Sequence, residues 1–122
     1  MINKEEISNA IAAHGKWKQR LIDAIETGKS EFTVALLKVD NLCDFGKWLY
    51  SLSTEEKLSS HWNEIQKLHA KFHTEAANIL DLAIKGKVNE AKEAMSLGKD
   101  YMKCSGELTR AMMKWRDSLT TN

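Results

Sequence analysis

A chain of 122 residues fits one domain built around one core. Its 29% charged and 43% hydrophobic content is ordinary for a globular protein. A net charge of +1, with basic and acidic residues interleaved, argues against nucleic acid or an anionic membrane as a partner.

The chain has no Pro and only 6 Gly, which favours long helices over strands and turns. The first predicted helix runs from about Lys4 to Thr27. Its apolar stripe is Ile7, Ile11, His14, Trp17, Leu21 and Ile25, spaced by threes and fours, and Gly28 is the expected stop. His14 falls inside that stripe and should point into the core. The stretch from Lys29 to Leu52 is less regular. Asp40 or Asn41 is expected to cap a short helix carrying Cys43, Phe45, Trp48 and Leu49.

A third helix is expected from the capping box Ser53/Glu56 onward. Its stripe is Leu58, Trp62, Ile65, His69, Phe72, Ala76, Ile79 or Leu80, and Ala83, and Lys85-Gly86-Lys87 ends it. A fourth is expected from about Asn89 to Leu119, with Ala91, Met95, Met102, Ser105, Leu108, Met112, Trp115 and Leu119 on its stripe. The short Lys-Gly-Lys connection predicts antiparallel packing of the last two helices. The fold class is therefore all-α: a four-helix bundle with a short extra helix carrying Cys43. Residues 1–122 form a single domain with its core between about 5 and 118.

No apolar run approaches the roughly 20 residues that span a bilayer. The start, Met-Ile-Asn-Lys-Glu-Glu, lacks a signal-peptide pattern, so the expected location is cytoplasmic, with no membrane partner. Two cysteines do not make a disulfide framework. In a reducing compartment they are free thiols or metal ligands.

His69 and His73, spaced i, i+4, leave one helix face about one turn apart. A single histidine in an apolar stripe is usually a hydrogen-bonded core residue. Three that point inward, with no shared purpose, would be costly to bury. Together with Cys43 they form a nitrogen and sulfur donor set suited to tetrahedral zinc, so His14, Cys43, His69 and His73 are the candidate ligands. Copper(I) usually takes more sulfur. A di-iron centre would need Glu-x-x-His motifs, and neither Glu64 nor Glu75 stands three residues before a histidine. The protease motif His-Glu-x-x-His fails because Ala70 follows His69. No catalytic residue is assigned and the chain is read as a non-enzyme. Cys43 is also the candidate redox switch. His61, off the stripe, is expected at the surface, and Cys104 is expected to be a buried structural thiol.

These residues carry a resemblance. His-Gly-Lys-Trp-Lys at 14–18, Cys-Asp-Phe-Gly-Lys-Trp-Leu-Tyr at 43–50 and His-Ala-Lys-Phe-His at 69–73 resemble the chemoreceptor zinc-binding (CZB) domain over about residues 5 to 118. The resemblance implies a bacterial cytoplasmic regulatory domain in which His14, Cys43, His69 and His73 bind zinc inside a helical homodimer. It also implies a signalling output domain, of chemoreceptor or diguanylate cyclase type, in cis or in trans. The implied inputs are zinc itself and hypochlorous acid acting through the zinc-bound Cys43. One departure is Ala13, where the family often has an acidic residue. Two other readings stay open: a structural zinc site in a helical interaction module, and a zinc hydrolase.

Overall fold

The computed structural model describes residues 2–30, 33–39 and 43–119, and among these every regular element is helical. Helix α1 (Lys4–Thr27) starts at Asn3, whose side chain accepts from the Glu6 amide while the Glu6 carboxylate accepts from Asn3 N–H. This reciprocal cap satisfies two donors that a helix start would otherwise leave open. The helix ends at Gly28, where φ is 71°. A Cβ built there meets nothing within 4 Å, so Gly28→Ala would carry backbone strain alone. We expect it to cost about 1 kcal/mol, read as a lower urea midpoint with unchanged slope.

Two short helices follow, α2 (Val34–Lys38) and α3 (Asp44–Ser51). Asp40 and Asn41 lie outside the described residues, and the side chain that caps α3 is that of Cys43. The Ser53/Glu56 box forms, with Ser53 N–H donating to the Glu56 carboxylate at 3.0 Å and Glu56 N–H to Ser53 Oγ at 3.1 Å. It opens only a 3-10 turn (Glu56–Leu58), however. The long helix α4 (Ser60–Ile84) begins after a second cap, Ser59. Leu58, expected on the buried stripe, is 76% exposed as a result.

The expected last helix is in two pieces, α5 (Val88–Ala94) and α6 (Asp100–Ser118). Gly98 at φ 89° lies in the break, a conformation that a helix interior does not permit. Helices α4 and α6 run antiparallel, because Phe72 meets Tyr101 while His61 meets Trp115. The core is shared by α1 (Ile7, Leu21), α4 (Ile65, Phe72, Leu80) and α6 (Leu108, Met112). Helix α2 packs on α4, and α3 packs against α1 and α4. Cys104 is buried, as expected, and His61 stacks on Trp115 away from the other histidines. No described helix is long and apolar enough to cross a membrane.

Candidate metal centre

Helix α4 buries an unbroken face of Ile65, His69, Phe72, His73 and Ala76, so both imidazoles of the i, i+4 pair enter the core. His73 is oriented by α2. Its Nδ1–H donates to the Leu37 carbonyl at 2.8 Å, which leaves the lone pair on Nε2. That Nε2 lies 3.3 Å from Cys43 Sγ, and His69 Nε2 lies 3.4 Å from the same sulfur. The His69 ring is held by Phe45, stacked on it at 4.5 Å between centroids.

Cys43 comes from the start of α3, and its sulfur accepts the Gly46 N–H at 3.2 Å. One sulfur atom thus caps its helix and faces two imidazoles. Phe45 and Leu49 of α3 are buried, and Trp62 Nε1–H donates to the Leu49 carbonyl at 2.9 Å, so both ends of α3 are tied down.

Donor atoms of Cys43, His69 and His73 lie within 4.8 Å of one another, close enough to hold one metal ion. Tetrahedral zinc, with bonds of about 2.1 Å to nitrogen and 2.3 Å to sulfur, separates those donors by about 3.6 Å. The observed sulfur–nitrogen distances of 3.3 and 3.4 Å sit just inside that span. Geometry and donor chemistry both fit.

His14 is placed differently. It is buried, 4% exposed, and its ring packs edge-on against Phe72 at 4.4 Å. Its Nε2 lies 3.1 Å from Ser105 Oγ of α6, and neither ring nitrogen falls within the three-donor cluster. The structure therefore brings three of the four expected ligands together and sets the fourth beside them, turned to a serine.

Electrostatics keep His14 and His69 neutral. Burial, then the neighbouring His73, pulls His14 down to about 4, and the Ser105 backbone partly offsets this. Burial, then His73 and His14, takes His69 to about 3. Burial pushes the Cys43 thiol above its ordinary value despite the amides of Gly46 and Phe45. The site thus presents neutral nitrogen lone pairs and a sulfur that needs a cation to remain a thiolate.

Three supporting groups were not read from sequence: the Leu37 carbonyl, the stacked Phe45 ring and Ser105. Only Ser105 left a usable signal, as a hydroxyl inside an apolar stripe.

A helical bundle that brings a partly buried thiol onto two buried imidazoles defines a binding module for a soft or borderline metal. The particular family is the chemoreceptor zinc-binding domain: its pattern matches residues 14–80, more than half of the chain, and the protein belongs to it. No curated protein and no solved structure matches the chain.

Proposed function

We propose that the protein is a zinc-binding regulatory domain of bacterial signal transduction, serving chemotaxis or cyclic-di-GMP signalling, in which Cys43 is the switch. The observation that carries this reading is the convergence of Cys43, His69 and His73 on one metal-sized space. The family's chemoreceptor description supports the signalling half. In this reading His14 is the fourth ligand, and the domain works as a cytoplasmic homodimer. It passes its state to a chemoreceptor or diguanylate cyclase output region, in cis or in trans. A regulatory role is favoured over hydrolysis because Ala70 stands where a metalloprotease places its general base.

Bound zinc would supply charge that holds the Cys43 sulfur as a thiolate. Cys43 is also the donor an oxidant reaches first, being only partly buried while His14, His69 and His73 are at most 4% exposed. Attack of the Cys43 thiolate on hypochlorous acid forms an S–O bond and breaks the O–Cl bond. Sulfur gives up two electrons, chloride leaves with them, and the proton stays on the sulfenic acid. The oxidised sulfur is a poorer ligand and a poorer acceptor for Gly46 N–H. The α3 cap then weakens together with the metal site, and α3 loosens from α1 and α4.

The test is zinc release, followed with a chromophoric chelator, on adding about one equivalent of hypochlorous acid. Wild type should release its zinc and recover it after thiol reduction, and Cys104→Ser should behave alike. Zinc retained while Cys43 is shown by mass spectrometry to be oxidised would reject the switch in favour of a structural site.

A further inference from the structure

We infer that Ser105 of α6 is a competing partner for His14: it holds the imidazole away from the metal cluster when the site is empty and gives it up when zinc binds. The inference rests on the reading of His14 as the fourth ligand, and it concerns a contact between α1 and α6 that spans 91 positions of sequence.

His14 is a buried polar group whose Nε2 is engaged by Ser105 Oγ at 3.1 Å. A buried ring nitrogen without a partner is costly, so the empty site needs some group to satisfy it. Ser105 does this from an otherwise apolar face, with Tyr101 and Leu108 buried on either side. Neither His14 nitrogen lies within the space shared by Cys43, His69 and His73. A metal–nitrogen bond of about 2.1 Å therefore requires the ring to move. A 3.1 Å hydrogen bond to a short side chain tolerates little such movement. Loading the metal and keeping the bond to Ser105 are alternatives.

Two consequences follow. Zinc affinity is lowered by the cost of breaking the contact, and α6 acquires a polar group that is satisfied only when the site is empty. Helix α6 also meets α3 through Trp115 and Trp48, so metal occupancy reaches it from two sides. Ser105 is in this sense a positioning residue, and it is not itself a ligand.

The experiment is zinc affinity by chelator competition on the whole chain, for wild type, Ser105→Ala, Ser105→Thr, His14→Ala and the double variant His14→Ala/Ser105→Ala. Removing one net hydrogen bond from the empty state should tighten zinc binding by roughly 3- to 10-fold in Ser105→Ala. Ser105→Thr, which keeps the hydroxyl, should stay near wild type. The alanine effect should vanish in the His14→Ala background, the signature of a pairwise coupling. Weaker zinc binding in Ser105→Ala would overturn the inference, since Ser105 would then support the bound histidine. So would an unchanged affinity, or a gain of equal size without His14. If His14→Ala matches wild type, His14 is no ligand and both the four-ligand reading and this inference fall. Failure of wild type to bind zinc would instead sink the proposed function.

Discussion

Adding zinc to the metal-free protein should raise its thermal midpoint by about 15 °C. A ligand at a thousandfold excess over its Kd adds about 4 kcal/mol to the folded state. For a domain of this size each kcal/mol is worth about 4 °C. The gain should be large because the site is organised in advance: Leu37 fixes the His73 tautomer, Phe45 holds the His69 ring and Gly46 N–H orients the Cys43 sulfur. His69→Ala, His73→Ala and Cys43→Ala should each weaken zinc binding by more than the 10- to 100-fold that loss of a supporting residue costs. Their zinc-dependent shift in midpoint should fall to near zero, whereas His61→Ala, outside the cluster, should keep the full shift. The quantity to compare is the shift, because truncating a buried imidazole also lowers the metal-free midpoint by leaving a cavity. An equal shift in wild type and in His69→Ala would place the metal elsewhere on the chain.

The metal-free protein should also lose stability steeply as pH falls from about 6.5. His14 and His69 titrate near 6.5 when unfolded but are held down to about 4 and about 3 in the fold. Above 6.5 both are neutral in both states and their contribution to stability is complete. Between 6.5 and about 4 the unfolded chain takes up protons that the folded chain refuses. Stability then drops by up to about 1.4 kcal/mol per pH unit for each histidine. Below about 4 the folded protein protonates His14, and the slope lessens. Domains of this size have only about 5 to 15 kcal/mol in hand, so a loss of up to about 7 kcal/mol from the two histidines should remove a large part of the metal-free protein's stability within this window. Thermal midpoints measured from pH 7.5 to 4.5 would check it. His69→Leu removes one titrating group without opening a large cavity and should flatten the profile. An unaltered slope in that variant would assign the acid sensitivity to other groups. The zinc-loaded protein should resist to lower pH and then fail abruptly, as protons displace the metal from its histidines.

The same distinction between folded and unfolded surroundings separates what was legible in the sequence from what was not. Helix α1, its stop at Gly28 and the inward direction of His14 follow from spacing, because neighbours three and four apart share a face whatever else the chain does. The His69/His73 pair was legible for the same reason, as was the end of α4 near Lys85-Gly86-Lys87. The late start of α4 and the break between α5 and α6 were not, since a cap or a turn competes with a helix by small local energies that packing outweighs.

The sequence by itself determined an all-α chain, the residue types at the site and the helix faces that carry them. Only the tertiary structure decided that the Cys43 sulfur caps α3 and meets two imidazoles 26 and 30 positions away. It alone turned His14 toward Ser105 and set Leu37 against His73. Periodicity fixes the face from which a side chain departs. Where its polar atoms point is set by the hydrogen-bond partners that other helices bring into the core, and those partners are distant in sequence.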